Sequence, residues 1–471
     1  MDRRQKIAHG DWQTPRALAD QVVRTLARVT PPPASILEPT CGTGTLLAAA
    51  AAVHPSATLR GHDLDPDYLK IAAARLPRAS LHVSDFFTTD WPAVLRALKP
   101  PLLLLGNLPW VTSAGLGKLG ATNHPTKDNA STGLRGLDAR TGRSNFDISE
   151  WMLQQLLKSL GDTPTTVAFL CKTAVAHKLI RHCAEQSTPV TPLGLWSIDA
   201  AEHFGASVDA VLFACTLHHA APHQLWPVYP DLAATTPTTH LSVIDGHLIH
   251  DLAAHQRTRT LAGTCTPAWR SGVKHDCAAV FERPLDECQL EPSHLYPLLK
   301  SSDLAHGRAP RRRLLVPQRR LGDDTRSLKT TAPNTWALLE QHAPRLAARK
   351  SSIYRNQPAF AVFGVGDYTF APYKVAISGL YKLLNFVLVG PVAGRPVVFD
   401  DTCYFLPFAD EAAARDAWTA LRSPLARDFL TSRIFWAAKR PISAALLNSL
   451  DLAALRRALH AEPGSPTGPL Q

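Results

Sequence analysis

Apolar residues in the first half of the chain fall into short runs separated by turns rich in Gly, Pro, Asp and Asn, a spacing that predicts strands alternating with helices. The clearest run is four uninterrupted leucines at 102–105, the pattern of a central parallel strand buried on both faces. Similar runs predict strands over 35–39, 58–65, 80–87, 165–172, 193–199 and 210–217. Helical periodicity over 16–29 places Leu18, Val22, Val23 and Leu26 on one side, with Thr14 as N-cap and Pro15 as the first helical residue. An alanine-rich helix is expected over 46–53. Another is expected behind a capping Asp147, with Ile148, Trp151, Met152, Gln155 and Leu156 along one face. The fold class this predicts is α/β.

Open α/β sheets bind ligands at the carboxyl ends of their strands, and those ends carry chemistry here. After the leucine run comes Gly106-Asn107-Leu108-Pro109-Trp110. An amide oxygen and a nearby backbone carbonyl can both accept hydrogen bonds from an exocyclic amino group, while an exposed tryptophan face stacks on the ring that carries it. A planar aromatic amine is the implied substrate, although Asn-x-Pro-aromatic by itself also suits an ordinary strand-to-helix turn. The first strand exits through Glu38-Pro39-Thr40-Cys41-Gly42-Thr43-Gly44, whose glycines let backbone approach a bound molecule. This is not Walker A, and the third glycine of the dinucleotide fingerprint is absent. Asp63, at the end of the second strand, can accept both hydroxyls of a ribose. Asp85 and Phe86, at the end of the third, can accept from an adenine amino group and flank its ring. The capped start at Thr14 and Pro15 suits a ligand carboxylate. Phe204 could form a second wall for a base. The stretch 111–145, with Lys118, Lys127, Arg135, Arg140 and Arg143, is expected to be a lid closing on phosphates, or else a solvated loop.

The texture changes in the second half. A Pro-, Thr- and His-rich connector is expected over 221–262, with modest strand character. Between 305 and 355 there are twelve Lys or Arg against three Asp or Glu. Arg311, Arg312, Arg313, Arg319, Arg320 and Lys350 are the candidate phosphate-binding residues in that window. Seven aromatics, Tyr354, Phe360, Phe363, Tyr368, Phe370, Tyr373 and Tyr381, are interleaved downstream and expected to be mostly core. A strand and tight turn are expected over 363–368, and a Lys439-Arg440-Pro441 corner before a closing helix. The net charge of +11 agrees with a polyanion partner. A length of 471 residues implies two or three domains. The expected boundaries are 1–220, 221–262, 263–460 and a disordered tail over 461–471.

Eight cysteines without a Cys-x-x-Cys pair predict reduced thiols, and Cys265, Cys277 and Cys288 beside His275 match no metal-site spacing. No metal is expected. The longest apolar run, 46–53, is too short for a membrane span, and the first residues carry no signal-like apolar stretch. A cytoplasmic protein with no membrane partner is the expectation.

The motifs over about 11–217 resemble those of S-adenosylmethionine-dependent DNA adenine-N6 methyltransferases of the gamma arrangement, found in type II restriction-modification systems. The shared order is Thr14-Pro15, Glu38-Pro39-Thr40-Cys41-Gly42-Thr43-Gly44, Asp63, Asp85-Phe86 and Asn107-Leu108-Pro109-Trp110, then a basic C-terminal half. The resemblance implies a Rossmann-like seven-stranded methyltransferase sheet followed by a mixed α+β target-recognition domain. It implies that Thr14, Pro15, Glu38, Cys41, Gly42, Gly44, Asp63, Asp85 and Phe86 hold S-adenosyl-L-methionine. Asn107, the carbonyl of Leu108, Pro109, Trp110 and Phe204 would hold a target adenine flipped out of double-stranded DNA. Leu108 stands where the family has proline, so the turn loses one fixed φ. A separately encoded cognate restriction endonuclease is the implied partner. Other readings are a cytosine-N4 enzyme, whose motif usually begins with Ser where Asn107 stands, a protein glutamine methyltransferase, and a DNA-binding protein without activity.

Overall fold

The computed structural model describes residues 12–111, 147–161, 163–217, 224–436, 438 and 440–461. The expected lid from 112 onward, with its five cations, lies outside these residues, as do Lys439 and the expected tail beyond 461. Two compact units divide the chain, 1–252 and 253–471.

The first unit is built on one sheet. Its strands are β1 (Ser35–Glu38), β2 (Thr58–Asp63), β3 (Ser80–Val83), β4 (Leu102–Asn107), β5 (Thr165–Lys172), β6 (Val190–Ile198), β7 (Ala210–Leu217), β8 (Trp226–Tyr229), β9 (Thr239–Ile244) and β10 (His247–Ile249). Their order is β10-β9-β8-β6-β7-β5-β4-β1-β2-β3. Strands β3, β2, β1, β4 and β5 are mutually parallel. Between β5 and β6, β7 runs antiparallel to both. All seven expected strands are present. The four leucines of β4 are buried, as predicted for a strand covered on both faces.

The sheet then extends through residues expected to be connector. β8 joins β6 in parallel, and β9 and β10 follow antiparallel. These strands are short and broken by Pro227 and by polar Thr and His, which weakens their alternating pattern. Aromatic packing anchors β8, where Trp226 stacks on Phe213 at 5.0 Å and Tyr229 on Trp196 at 4.8 Å, and β9 and β10 pair outward from it.

Helix α1 (Arg16–Val29) has the predicted bounds, with Leu18, Val22, Val23 and Leu26 buried. Its cap differs. Pro15, in extended conformation, is the N-cap residue, no side chain caps the helix, and the Thr14 hydroxyl faces Asn107 instead. Strand β2 stops at Asp63 because that carboxylate accepts from the Asp65 amide, and Asp65 in turn caps the helix Pro66–Arg75. β3 likewise ends at Val83, with Asp85 accepting from the Phe87 amide in a turn. Asp147 caps the helix Ile148–Ser159 as expected. There Leu153 and Leu157 join the buried stripe, while Trp151 and Gln155 are half-buried.

The second unit is mixed α+β. One four-stranded sheet contains β11 (Arg270–Ser271), β15 (Tyr373–Ser378), β16 (Val387–Val389) and β18 (Cys403–Phe408); the other contains β12 (Glu282–Pro284), β13 (Leu295–Leu299), β14 (Arg312–Leu315) and β17 (Val398–Phe399). Helices Glu411–Leu421, Pro424–Thr431 and Leu452–Ala461 supply buried residues to one core, among them Ala417, Phe429 and Leu455. The strand expected over 363–368 is a single bridge, Lys274 to Phe363, followed by the 3-10 turn Asp367–Phe370. The seven interleaved aromatics are all half-buried, and four of them, Phe360, Tyr368, Phe370 and Tyr373, pack against the cores of this unit.

Candidate functional site

The chain order reverses at the boundary between β1 and β4, since β1 leads on to β2 and β3 on one side while β4 and β5 lie on the other. Such a switch point leaves a crevice at the carboxyl ends of the strands. Glu38, Asp63, Asp85 and Asn107 all come to these ends.

The loop between β1 and helix α2 (Thr45–Val53) turns through Gly42 at φ +49° and Gly44 at φ +74°, conformations that favour glycine. Asp63 holds this loop: one carboxylate oxygen accepts from the Gly42 amide at 2.7 Å and the other from the Asp65 amide at 2.9 Å. A carboxylate has acceptor capacity beyond two such bonds. Glu38, before the loop, and Cys41, within it, are both buried. Glu38 is 2% exposed and accepts from the Leu47 amide at 3.1 Å, anchoring the first turn of α2. Burial pushes its carboxyl well above the usual range, the Leu47 amide opposes this and the neighbouring Asp63 charge adds to it. Burial, reinforced by Glu38 and Asp63, also raises the Cys41 thiol. Thr43 donates through its amide and its hydroxyl to the Gln13 side chain, at 3.1 and 3.2 Å, so the segment before α1 is laid over the glycine loop.

At the end of β4 the amide of Asn107 is held by its nitrogen, which donates to the Trp12 carbonyl at 2.8 Å and to the Thr14 hydroxyl at 3.3 Å. The opposite flip would set two oxygens against each other, so Oδ1 must face the other way. That oxygen is buried and has no hydrogen-bond partner among the described residues, and the same holds for Thr40 Oγ1 at the exit of the adjacent β1. A buried acceptor left without a donor costs about 1–3 kcal/mol, and such a group in a crevice points to a ligand donor.

Trp110 is not the exposed aromatic expected from the sequence. It is 6% exposed, its ring nitrogen donates to the Leu170 carbonyl at 3.4 Å, and it belongs to the core packed around β4. Phe204 does lie against it, but edge-on: the ring centroids are 5.1 Å apart at 69°. Trp12 meets Phe204 at 6.4 Å, also edge-on. A base stacked between two rings needs about 7 Å between parallel faces, two van der Waals contacts of about 3.5 Å. The two walls expected around a base are thus together and closed on each other.

Phe86 is buried against Trp91 at 4.8 Å, and Phe87 packs on Trp151 at 5.4 Å. Nearby stands His62, which the sequence does not single out. Its ring accepts from Arg60 at 3.1 Å, so Nδ1 carries the proton and donates to Ser84 Oγ at 2.8 Å. Burial, with the Arg60 and His82 charges behind it, holds this imidazole down at about 4. A single histidine in a strand gives no local sign of these partners.

In the second unit the expected phosphate-binding cations are exposed, apart from half-buried Arg313, and most are engaged. Arg312 and Lys300 both bond Glu282, whose side chain is 4% exposed, with His275 3.5 Å away. The His275 hydrogen bond, opposed by burial and aided by Lys300 and Arg312, pulls the Glu282 carboxyl down to about 2. Arg311 pairs with Asp303 and Arg320 with Asp367. Arg313 donates to the Glu287 carbonyl, and Arg319 lies over the Phe370 ring. Lys350 is exposed. Of these pairs only Arg320–Asp367 is exposed on both sides, and such a pair is worth about 0–1 kcal/mol. Among the described residues no group of three or more His, Cys, Asp or Glu is arranged to hold a metal ion, and no helix is long and apolar enough to cross a membrane.

No family model matches the chain. It is 38% identical over 473 aligned positions to the type II methyltransferase M.NspV of Nostoc sp. (strain ATCC 29411 / PCC 7524), covering 96% of this chain and 98% of that one. Among solved structures, the type IIL restriction-modification enzyme MmeI in complex with DNA matches 95% of this chain with a TM-score of 0.53 at 12% identity. This chain spans 64% of that enzyme's length, and the likeness is one of fold.

Proposed function

The chain belongs to the type II methyltransferases, and from that premise we propose that it is a site-specific DNA methyltransferase acting on N6 of an adenine, with S-adenosylmethionine as methyl donor. The observation that carries the choice of substrate is Asn107 Oδ1, a buried acceptor with no donor among the described residues, aimed by a bond to Trp12 on the far side of the amide. An exocyclic amino group supplies the missing donor.

The residues present fit the cofactor. The glycine loop lets backbone approach, Asp63 is aligned by two amides to take ribose hydroxyls, and Asp85 and Phe86 stand at the next strand end for the adenine ring. Thr14 and Pro15 follow Gln13, which is bonded to Thr43 of the loop, Cys41 lies within the loop, and Glu38 supports it through α2. When bound, S-adenosylmethionine supplies an electrophilic methyl on a sulfonium centre. The contribution of the protein is then alignment of an amine with that carbon. An amino nitrogen conjugated to a purine is a weak nucleophile. Acceptance of its two hydrogens by Asn107 Oδ1 and the Leu108 carbonyl draws its lone pair out of the ring. The N–C bond would form as the S–CH3 bond breaks, leaving a neutral thioether, and the nitrogen, cationic only after transfer, would then give one proton to water, so no general base is needed beforehand.

Extruding a base costs a few kcal/mol. Trp110 and Phe204 offset this by stacking, which requires their present edge-on contact to open. The cations of the second unit, Arg311, Arg312, Arg313, Arg319, Arg320 and Lys350, are assigned to DNA phosphates, and 263–460 to target recognition. A separate endonuclease is the matching partner.

The test is incubation with duplex DNA and tritiated S-adenosylmethionine, followed by digestion to nucleosides. Label in N6-methyladenine is expected. Label in N4-methylcytosine would overturn the choice of base, label in protein would favour glutamine methylation, and cofactor binding without transfer would leave a DNA-binding protein.

A further inference from the structure

We propose that Lys172 is a positioning residue for methyl transfer, holding the Asn107–Trp110 turn in its working shape; this rests on reading that turn as the base-binding corner. Lys172 closes β5, the strand beside β4. Its Nζ donates to the Trp110 carbonyl at 3.0 Å and to Asp147 Oδ2 at 2.6 Å. Two residues earlier on the same strand, the Leu170 carbonyl accepts from the Trp110 ring. Trp110 is therefore held at both its backbone and its indole by one strand end.

The other partner of the ammonium is equally committed. Asp147 uses Oδ1 to accept from the Ser149 amide at 3.2 Å and the Ser149 hydroxyl at 2.6 Å, which caps Ile148–Ser159. Next to it the Ile148 amide donates to the Val111 carbonyl at 2.8 Å. The ion pair is shielded, with 21% of the Lys172 side chain and 10% of that of Asp147 exposed. A charge-assisted bond in such a setting is stronger than one between neutral groups. Leu108 leaves φ unfixed at its position, so the direction of the Leu108 carbonyl depends on what restrains the turn after it. Pro109 supplies one restraint, and Lys172 supplies another through the Trp110 peptide. Small misplacements of a reacting group cost about a hundredfold in rate.

Lys172→Met keeps the length of the side chain and removes the charge. The expected result is an S-adenosylhomocysteine affinity and a DNA affinity within about threefold of the parent, with the single-turnover methylation rate on DNA lowered about tenfold or more. Lys172→Arg, which can still donate to both oxygens, is expected to recover part of that rate. A merely structural ion pair would lower stability and leave the single-turnover rate of the folded fraction alone, so an unchanged rate in folded Lys172→Met overturns the inference. Where that variant does not fold, Asp147→Asn decides: it keeps the cap on Ser149 and loses the charge, and an unchanged rate there is equally fatal. If the parent protein puts no label into DNA, the reading of the corner itself fails, and this inference falls with it.

Discussion

Asn107 donates to the backbone carbonyl of Trp12 across 95 positions of sequence, and this bond decides which end of the Asn107 amide faces the crevice. An asparagine free to rotate would offer a donor as readily as an acceptor. Fixed in this way it offers an oxygen, which suits the hydrogens of an amino group and rejects a carbonyl.

Replacing Asn107 by Ala removes both the acceptor and the tie to Trp12. Methyl transfer is expected to fall by about a hundredfold or more, by analogy with deletion of one preorganised polar group at a reacting centre. Affinity for S-adenosylhomocysteine should stay within several-fold. Isothermal titration and single-turnover kinetics check both, and undiminished turnover would contradict the assigned role.

Trp110→Ala should destabilise the first unit by about 3–5 kcal/mol, because a buried tryptophan leaves a large cavity. Trp110→Phe keeps a ring against Phe204 and should cost clearly less. Denaturant unfolding of the two variants measures the difference, and equal midpoints would mean that the ring is not packed as described.

Neutralising Arg311, Arg312 and Arg313 together is expected to weaken DNA binding and flatten its salt dependence, by about 0.9 in the log–log slope for each phosphate that is no longer neutralised. Arg312→Gln alone should in addition lower thermal stability, since it removes one of the cations on buried Glu282. A salt slope identical to that of the parent would place the cluster away from DNA.

The buried imidazole of His62 predicts a pH effect. Held at about 4 in the folded chain against about 6.5 when unfolded, it stays neutral where the unfolded chain takes up a proton. Its contribution is therefore complete above about pH 6.5 and is lost as the pH falls from there toward 4. His62→Gln should make the unfolding midpoint less dependent on pH across that window, and parallel pH profiles for the two proteins would count against it.

How much of this was legible in the sequence varies with the range of the forces involved. The strands from β1 to β7 are, because each is a contiguous apolar run closed by a turn residue. The Asp147 cap is as well, since it acts on an amide two residues away. Strands β8 to β10 are obscured by Pro227 and scattered polar residues. The burial of Trp110 is hidden for a different reason: a tryptophan after Asn-x-Pro has the same local sequence whether it faces solvent or Phe204. The arginines of 311–320 read as a basic patch, while their acidic partners come from up to 47 positions away.

Local pattern thus determined the α/β alternation, the acids and the asparagine at strand ends, and the family resemblance that runs through them. Tertiary structure alone decided the polarity of the Asn107 amide, the closed Trp110–Phe204 contact, the grip of Lys172 on two segments and the neutrality of His62. Periodicity and turn chemistry act between near neighbours and leave their mark on consecutive residues. Hydrogen bonds, ion pairs and burial act between groups that only the folded sheet brings within a few ångströms.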